Sequence, residues 1–398
     1  MKIKPVILCG GEGTRLWPKS KKTEAKQFIN FGGWNLFQKT LNRTKGKIFD
    51  FPLISTNLKY LKNVKYYLKK TKIKKYSIIL EPVKKNTAPA ILAVSLIKKI
   101  PNNQPLMFFP SDHLVENIGQ LNKQMIRIKR YLNDKNIFIF GIKPTFPSSQ
   151  YGYFLTKNIK NNVNKVSKFI EKPTESKAKK IIKRQAYWNS GMFFARKDSI
   201  IYNFKRYQIK TYNNSLLALK KGRLKNNIYF LNKKFFNNNL AKSFDYAILE
   251  KMKDVMAINL NIDWSDLGSW KEILSMFYKN RKKYLEKKNI FIRPWGKYTN
   301  LFKGNNFLIK ELYVKPNGLL SLQKHFHRSE HWLIIQGKPK ITINNQFYFK
   351  KPNETVFIPK KTIHRIHNPN KKPVKIMEAQ LGLILKETDI VRYEDIYG

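Results

Sequence analysis

Cysteine, acidic side chains and long apolar runs are all scarce in this sequence. Cys9 is the only cysteine among 398 residues, which excludes an internal disulfide framework and favours a reducing compartment. No apolar run approaches the roughly 20 residues that a membrane-spanning helix needs, and the first run, Val6–Cys9, ends at glycines. The sequence therefore predicts a cytoplasmic protein without a membrane partner.

The scarcity of acidic residues gives the chain a large positive charge. Lysine and arginine number 79 against 25 aspartates and glutamates, a formal net charge of +54 at pH 7. Such a charge is typical of proteins that bind nucleic acid or another acidic surface. The lysines are spread through every segment, however, together with many asparagines and isoleucines, which indicates a compositional bias. We expect no nucleic-acid partner. The alternative, a basic nucleic-acid-binding protein without catalysis, predicts binding that weakens steeply with salt.

The chain does contain enough apolar material for a substantial core. Hydrophobic residues make up 42% of it, and its length favours two domains. Up to about residue 270, short apolar runs alternate with amphipathic stretches, which predicts an α/β domain with a mainly parallel sheet and helices on both faces. From about residue 293, two-residue alternation predicts an antiparallel β domain.

These patterns of apolar residues predict individual strands and helices along the chain. Buried strands are predicted at 6–9, 52–55, 77–80, 106–109 and 137–140, and helices at 58–70, 88–100 and 120–132. A lysine-rich helical connector is predicted at 276–289, with the domain boundary near residue 287. The asparagine-rich stretch 222–242 is expected to be a surface excursion.

A glycine-rich turn follows the first predicted strand. Gly10, Gly11 and Gly13 occupy three of four positions, which allows backbone amides to approach a polyphosphate, and Arg15 is a bidentate donor for phosphate oxygens. An ordinary tight turn explains the same glycines, and the spacing is neither a Walker loop nor a dinucleotide fingerprint. The turn alone therefore leaves a nucleotide site and a structural turn both open.

The continuation of this turn, GGEGTRLWPKSKKTEAKQF at residues 10–28, resembles the signature of sugar-nucleotide pyrophosphorylases, in particular mannose-1-phosphate guanylyltransferases. Further matches follow in the family's order: EPVKKNTAPAI at 81–91, FPSDH at 109–113, YGYF at 151–154, FIEKP at 169–173, WNSGMF at 188–193, SFDYAILEK at 243–251 and WSDLGSW at 264–270. The resemblance implies a Rossmann-like nucleotide-diphospho-sugar transferase domain at 1–287. Its reaction would transfer GMP from GTP to mannose 1-phosphate and release pyrophosphate.

The same resemblance implies roles for individual residues. Asp112 and Asp266 would hold Mg²⁺ against the phosphates, since hard oxygen ligands suit that ion; a helix cap and a turn residue are the structural alternatives. Joining two phosphates brings negative charges together, so catalysis depends on alignment and charge neutralisation. The other implied contacts are Arg15 and Lys26 with the leaving pyrophosphate; Gly10, Gly11, Gly13 and Thr14 with the nucleotide phosphates; Glu81, Asn86 and Thr87 with guanine and ribose; Lys172 with the phosphate of mannose 1-phosphate; and Gly152, Glu171 and Asn189 with the sugar.

The sequence departs from the family's pattern at several positions, including Lys84, Ser148–Gln150 and Lys361. Ala25 stands where the family usually has proline, and Lys85 stands where it usually has arginine, which loses the planar guanidinium. Thymidylyl or uridylyl transfer to glucose 1-phosphate is the alternative within this reaction class. The WNSGMF motif favours the guanylyl reaction over it.

Five of the six histidines lie after residue 320. His325 and His327 alternate on a predicted strand with Glu330 within reach, and His364 lies downstream. Although His-x-His also occurs on surfaces without a metal, Glu330 and His364 favour a metal site. The predicted ligands are His325, Glu330 and His364, with His327 or Gln323 completing the set.

The histidine segments resemble the two cupin motifs. LSLQKHFHRSEHW at 320–332 is similar to the phosphomannose isomerase domain fused behind the guanylyltransferase in bifunctional enzymes, and RPWGKY at 293–298 and DIVRYEDIYG at 389–398 agree with it. The resemblance implies an all-β cupin (jelly-roll) domain at 288–398 that interconverts mannose 6-phosphate and fructose 6-phosphate. Zn²⁺ or another divalent metal would polarise the sugar carbonyl. The sequence does not identify the base.

Further expectations concern substrates, assembly and the connection between the domains. The implied partners are GTP, mannose 1-phosphate and hexose 6-phosphates, and we expect a homo-oligomer. Arg392 would bind the substrate phosphate or form a surface ion pair. The segment from Lys271 to Ile292 is shorter than in the family, which predicts that the family's β-helical bridge is missing. The alternative function is a guanylyltransferase whose cupin domain is only structural.

Overall fold

The computed structural model describes residues 1–11, 25–31, 34–160, 163–281 and 289–397. The chain divides into two compact units, Met1–Gly11 with Leu36–Asp266, and Glu12–Asn35 with Leu267–Gly398. The predicted domain boundary at residue 287 lies outside the described residues, so the division into 1–287 and 288–398 stays a prediction. Within the described ranges, no helix is long and apolar enough to cross a membrane.

Alternating strands and helices build the first unit. Its strands are β1 (Lys4–Cys9), β2 (Leu53–Asn57), β3 (Ser77–Glu81), β4 (Pro105–Pro110), β5 (Leu114–Val115), β6 (Ile137–Ile142), β7 (Tyr153–Lys160), β8 (Val163–Ile170), β9 (Tyr187–Arg196), β10 (Arg223–Lys225), β11 (Ile228–Phe230), β12 (Val255–Leu260) and β13 (Trp264–Ser265). Its helices are α1 (Leu36–Arg43), α2 (Leu61–Lys70), α3 (Thr87–Ser95), α4 (Ile118–Ile128), α5 (Glu175–Lys183), α6 (Lys197–Tyr207), α7 (Ile209–Lys220) and α8 (Lys233–Asn237), with a π-helical turn at Asp245–Leu249.

One large sheet forms the centre of this unit, in the order β10-β11-β3-β2-β1-β4-β9-β6-β12-β8-β7. Strands β11, β3, β2, β1 and β4 are parallel, and β9 is antiparallel to both β4 and β6. The central strands are apolar runs because helices cover both faces of the sheet. The predicted α/β class is confirmed.

Adjacent residues on the strands face opposite cores. Val6 and Phe108 belong to a core that includes residues of α3, α6 and α7, whereas Met107 and Phe109 belong to a core that includes residues of α4 and α5. All four side chains are fully buried. Because the parallel strands β1 to β4 end at the same edge of the sheet, the residues that follow them are brought together there.

The expectation of a surface excursion at 222–242 is wrong for part of this stretch. Strand β11 pairs with β3 and extends the central sheet, and Leu231 and Phe236 are buried in the core. This stretch is rich in asparagine, but a few of its apolar residues face the core. Its overall composition therefore predicts its burial poorly.

The second unit is predominantly β. Its described elements include α9 (Trp270–Lys279), β14 (Ile290–Arg293), β15 (Gly296–Gly304), β16 (Phe307–Val314), β17 (Leu322–His325), β18 (Arg328–Gln336), β19 (Lys340–Ile343), β20 (Gln346–Phe349), β21 (Thr355–Ile358), β22 (His364–His367), β23 (Val374–Gly382) and β24 (Ile390–Glu394). One sheet has the order β14-β15-β16-β23-β18-β21 and the other β20-β19-β22-β17-β24. Their inner faces share one apolar core, in which Trp332 and Ile376 meet Ile341 and Ile366. The predicted all-β cupin class is confirmed.

Helix α9 covers part of the first of these sheets. Its start is fixed by a capping box, in which Ser269 Oγ accepts from the Glu272 amide and the Glu272 carboxylate accepts from the Ser269 amide. The ring of Phe277 stacks on Phe302 at 5.5 Å between centroids. The helix ends at Lys279, whereas the predicted connector ran to residue 289, and residues 282–288 lie outside the described part. The described residues between Trp270 and Ile290 contain no strand, as expected if the family's β-helical bridge is missing.

Candidate functional site

The carboxyl ends of β1, β2 and β3 bring the glycine turn and Glu81 together. A methyl group added at Gly10 would lie 3.9 Å from Glu81 Oε1, so this carboxylate lies beside the turn. The Ser55 hydroxyl donates to the same oxygen at 2.7 Å. Burial raises the pKa of Glu81 to about 7, and the Ser55 hydrogen bond offsets part of the rise. Gly10 and Glu81, predicted to contact the nucleotide, are therefore neighbours.

A short strand pair joins the motifs that carry Asp112 and Asp266. β5 and β13 are antiparallel, with Ser265 opposite Leu114 and Trp264 opposite Val115. This register puts Asp112 and Asp266 at the same end of the pair. The Tyr151 hydroxyl donates to Asp266 Oδ1 at 2.9 Å. Two aspartates that are far apart in sequence therefore flank the same end of one strand pair, as a shared metal site requires.

Aromatic side chains from the other motifs pack around the β5–β13 strand pair. The Trp264 ring lies 5.3 Å from Tyr151, 5.4 Å from His113 and 6.3 Å from Trp188. His113 Nδ1 lies 3.1 Å from the Ser190 carbonyl oxygen. The FPSDH, YGYF, WNSGMF and WSDLGSW segments therefore meet at one place.

The predicted sugar-binding residues also lie together. The Asn189 amide donates to the Gly152 carbonyl at 2.8 Å, and Asn189 Nδ2 donates to Asp245 Oδ1 at 2.7 Å. A side chain at position 152 would meet Glu171 Oε2 at 2.5 Å, so the close approach requires glycine. Burial raises the pKa of Glu171 to about 7 and that of Asp245 to about 6. The sequence reasoning missed Asp245, although the SFDYAILEK motif contains it.

Lys172 follows Glu171 in a left-handed backbone conformation, with φ of +43°. Its ammonium lies 3.8 Å from Glu171 Oε1, and its side chain is about half exposed. The unusual backbone turns this cation towards the Glu171 carboxylate instead of leaving it on a regular strand. This arrangement fits a phosphate contact beside the sugar cluster.

Asn86 and Thr87 have structural contacts of their own. Asn86, at φ +66°, caps α3 by accepting from the Thr87 amide, and Thr87 Oγ1 accepts from the Phe244 amide at 2.8 Å. Their predicted contacts with the nucleotide stay predictions. Gly13, Thr14 and Arg15 lie outside the described residues. Gly11 is exposed, and Lys26 is buried in a 3₁₀ turn of the second unit, so its role at the pyrophosphate also stays a prediction.

The second unit contains a candidate metal centre. One ligand atom from each of His325, Glu330 and His364 lies within 4.8 Å of the others, and all three residues are buried. His325 Nε2 lies 3.2 Å from Glu330 Oε1, and His364 Nε2 lies 3.7 Å from Glu330 Oε2. The three residues come from β17, β18 and β22, so both sheets contribute to the cluster.

The donor set fits a divalent metal. His364 Nδ1 lies 2.9 Å from the Thr362 carbonyl, and His325 Nδ1 lies 3.4 Å from the Asp389 carbonyl. Because a carbonyl only accepts hydrogen bonds, a proton on each Nδ1 would be used there, and each Nε2 would then be left for a metal ion. His364 Nε2 is buried without a hydrogen-bond partner among the described residues. Two imidazoles and a carboxylate are ligands that zinc accepts.

The two candidates for a fourth ligand differ in position. His327 Nδ1 lies 2.7 Å from Asp389 Oδ1, so its ring faces that carboxylate and is not part of the cluster. Gln323 is paired with His364 across β17 and β22 and lines the cavity beside Glu330. The structure therefore favours Gln323 over His327.

A cavity of about 310 Å³ is lined by Glu330 of this cluster and by Gln323. Gln380 Nε2 and Trp332 Nε1 both donate to the Glu330 carboxylate at 3.1 Å. Burial alone would raise the pKa of Glu330, but the hydrogen bond from His325 and nearby positive charge hold it well below its usual range. Burial and the charge of Glu330 raise the pKa of Glu378. The cavity is also lined by Arg293, Lys310, Arg328, Glu387, Arg392 and Asp395.

The sequence identified the three clustered candidate ligands, but it did not identify most of the residues that line the cavity. Arg328 lies 3.4 Å from both Glu330 Oε1 and His325 Nε2, and it was available from two-residue alternation around Glu330. Lys310 and Glu378 come from strands without a histidine, so no local pattern marks them. Arg392 forms an ion pair with Glu387 at 3.4 Å and also lines the cavity, and its contact with the substrate phosphate stays a prediction.

Comparisons with known proteins follow the same division. The family model described as nucleotidyl transferase matches residues 4–283, and that described as mannose-6-phosphate isomerase C-terminal matches residues 279–395. Mannose-1-phosphate guanylyltransferase from Sinorhizobium fredii is 30% identical over an alignment of 468 positions, covering 99% of this chain and 91% of that protein. Alginate biosynthesis protein AlgA from Pseudomonas aeruginosa is 28% identical, with 99% and 97% covered. The structure of mannose-6-phosphate isomerase from Helicobacter pylori matches with a TM-score of 0.58 and 25% identity, over 67% of this chain and 100% of that one.

Proposed function

The chain belongs to the nucleotidyl transferase family and carries a mannose-6-phosphate isomerase C-terminal domain, and we propose that it performs both reactions. The first unit transfers GMP from GTP to mannose 1-phosphate and releases pyrophosphate. The second interconverts mannose 6-phosphate and fructose 6-phosphate. Similarity to guanylyltransferases over nearly the whole chain supports the pair of activities.

For nucleotidyl transfer, the supporting observation is the strand pair that joins Asp112 and Asp266. Mg²⁺ bound by these carboxylates would neutralise phosphate charge as the bond to the α-phosphorus changes. The turn at Gly10 and Gly11, continued by Gly13, Thr14 and Arg15, holds the nucleotide phosphates. Lys26 and Arg15 face the leaving pyrophosphate.

The remaining residues of the first unit orient the two substrates. Glu81 accepts hydrogen bonds from the guanine edge, and Asn86 and Thr87 lie near the ribose. Lys172 binds the phosphate of mannose 1-phosphate. Gly152, Glu171, Asn189 and Asp245 bind the hexose hydroxyls, because buried carboxylate and amide oxygens recognise hydroxyl donors strongly.

Pyrophosphate release with four nucleotides and several hexose 1-phosphates tests this assignment. GTP with mannose 1-phosphate should give the highest kcat/KM. Asp112→Asn should lower it by about 10²- to 10³-fold, a typical cost of removing one electrostatic contact to the transition state. Asp134→Asn, at an exposed aspartate, is the matched control and should be unchanged. Full activity in Asp112→Asn removes Asp112 from its role.

For isomerisation, the supporting observation is the buried cluster of His325, Glu330 and His364, of which Glu330 lines a cavity. Zn²⁺ bound there, with Gln323 as a further ligand, would polarise the sugar carbonyl and so acidify the neighbouring C–H bond. Arg293 and Arg392 lie among exposed parts of the cavity lining and bind the 6-phosphate there, where its charge keeps contact with water.

A coupled isomerase assay on metal-replete protein separates the bifunctional proposal from a structural cupin domain. Activity that follows Zn²⁺ content supports the proposal. No activity with a full complement of metal leaves a guanylyltransferase with a structural domain. Salt-sensitive nucleic-acid binding without pyrophosphate release would contradict both readings.

A further inference from the structure

We propose that Glu378 is the base that moves the proton between C1 and C2 of the sugar phosphate, an inference that rests on the proposed isomerase function. Glu378 lies on β23, on the inner face of the sheet, and lines the same cavity as Glu330. It is 5% exposed. Its side chain therefore meets a ligand in the cavity rather than bulk water.

In the strand register, Glu378 lies two residues along β23 from Gln380, the residue opposite Glu330 of the metal cluster. On β23, Glu378 is paired with Trp332 of β18, and Gln380 is paired with Glu330. Positions two apart on a strand share a face, so Glu378 and Gln380 point to the same side of the sheet, and both line the cavity with Glu330. A substrate carbonyl at the cluster therefore has its neighbouring carbon beside the row that contains Glu378.

The cavity has a buried inner part and an exposed mouth. Glu330, Arg328, Lys310 and Glu378 are all buried, whereas Arg293 and Arg392 are exposed. A phosphorylated hexose has one doubly charged end and one end that reacts. Placing the phosphate at the exposed arginines directs C1 and C2 towards the buried part, where Glu378 lies.

The other carboxylates that line the cavity are already engaged. Glu330 accepts from Gln380 and Trp332 and belongs to the metal cluster. Glu387 and Asp395 lie 3.4 Å and 3.7 Å from Arg392 nitrogens at the mouth. Among the described residues, none donates a side-chain hydrogen bond to Glu378. Its carboxylate is thus available to a ligand.

Lys310 supports the assignment of Glu378 as the base. It is directly opposite Glu378 in the pairing of β16 with β23, and it lines the cavity. Its ammonium also lies 4.6 Å above the Tyr298 ring, which fixes the cation near this wall. We assign Lys310 as a positioning residue that favours an ionised Glu378 and offsets negative charge on the substrate oxygens.

In the direction from mannose 6-phosphate, the Glu378 carboxylate takes the C2 proton of the open-chain aldose. The electrons of that C–H bond form the C1–C2 double bond, the π electrons of the C1–O1 carbonyl move to O1, and O1 takes the proton of the O2 hydroxyl. The C2 carbonyl then forms from the O2 oxyanion as Glu378 returns its proton to C1. The net change moves one hydrogen from C2 to C1 and one from O2 to O1, with no other reactant.

The test measures loss of deuterium from C2 of labelled mannose 6-phosphate by Glu378→Gln. Exchange and isomerisation should fall about 10²- to 10⁴-fold, the usual contribution of a general base. Zn²⁺ content, binding of fructose 6-phosphate measured by calorimetry, and GMP transfer should stay within about 3-fold of the original protein. Glu378→Asp, which keeps the carboxylate, should retain more exchange than Glu378→Gln, and its turnover should show a larger C2 deuterium isotope effect.

Controls separate the possible outcomes. Glu311→Gln, on the adjacent outward position of β16, should be unchanged. Exchange retained by Glu378→Gln, loss of the metal in both Glu378 variants, or loss of exchange in Glu387→Gln instead would each overturn the assignment. No isomerisation by the metal-replete original protein would instead refute the proposed function on which it rests.

Discussion

Glu330 of the second unit differs from three buried carboxylates of the first unit. In the first unit, burial raises the pKa of Glu81, Glu171 and Asp245, and protein cations offset little of that rise. In the second unit, His325, His364 and Arg328 lower the pKa of Glu330 although it is fully buried, whereas burial still raises the pKa of Glu378. The first site therefore leaves much of its charge balance to a ligand, whereas the second places Arg328 and two histidines beside Glu330.

The difference follows from how each fold brings residues together. The ends of parallel strands collect side chains at an open edge, where substrates that carry cations and hydrogen-bond donors complete the site. Paired antiparallel strands project alternate side chains into a closed interior, where a charge must be matched by near neighbours. Each of the predictions below tests one side of this contrast.

The largest expected effect is at the metal cluster. His364→Gln removes one of the proposed metal ligands, whose Nε2 has no hydrogen-bond partner among the described residues, so we expect bound Zn²⁺ to be lost and isomerisation to fall by more than about 10³-fold. GMP transfer should be unchanged. Elemental analysis and the two enzyme assays measure the three quantities.

His367 offers a matched control for that variant. It lies on the same strand, β22, at the opposite face, and His367→Gln should keep both metal and activity. If His364→Gln kept a full complement of metal, His364 would not be a ligand. If it abolished GMP transfer as well, the two activities would not be separable.

The next effect concerns the pH dependence of stability. The pKa of Glu81 is raised from 4.5 to about 7, so the folded protein keeps this proton to higher pH than the unfolded chain. Its stabilising contribution is present below pH 4.5 and is lost as the pH rises through 7. Glu81→Gln cannot ionise, so its stability relative to the original protein should increase by up to about 3 kcal/mol over this range.

Urea unfolding of both proteins at pH 5 and pH 8 measures this difference, and titration of all other groups cancels in the comparison. A difference that is constant with pH would mean that a protein cation neutralises Glu81. Glu330 should show the opposite pH dependence of stability. Because its pKa is lowered, its contribution to the free energy of unfolding is present above the ordinary carboxyl pKa and is lost as the pH falls.

A smaller effect is expected at the residue that the sequence reasoning missed in the first unit. Asp245→Ala removes the acceptor of the Asn189 side-chain amide, and we expect kcat/KM for mannose 1-phosphate to fall about 10- to 100-fold. The KM for GTP should be unchanged. Asp254→Ala, at an exposed aspartate that contacts Lys165, is the control. An equal loss with respect to GTP would indicate general damage to the fold instead of a contact to the sugar.

These residues illustrate how far the sequence could be interpreted. Strands β1 to β4 and β6 of the first unit and the His325, Glu330 and His364 set were predictable, because apolar runs and a histidine close to a carboxylate are local patterns. Asp245, Lys310 and Glu378 were not, since their importance depends on which distant strand lies opposite them. Leu231 and Phe236 were missed for a different reason, as the surrounding asparagines outweighed them in composition.

The smallest predicted effect is at the capping box of α9. Ser269 and Glu272 satisfy each other's backbone amides at the start of this helix, and α9 packs on the second unit through Phe277 and through Trp270, whose ring stacks on His331 at 5.8 Å. Ser269→Ala removes one of these hydrogen bonds and should destabilise the second unit by about 1 kcal/mol.

A double-mutant cycle with Glu272→Ala makes this prediction specific. Because the two side chains form one reciprocal box, the second substitution should add less in Ser269→Ala than it does alone, by at least about 0.5 kcal/mol in urea unfolding. Strict additivity would mean that the box does not act as a unit. Asp266 lies three residues before Ser269 in the same motif, so GMP transfer should be measured in each variant. If transfer is unchanged while the second unit is destabilised, the motif contributes separately to the chemistry of one unit and the packing of the other.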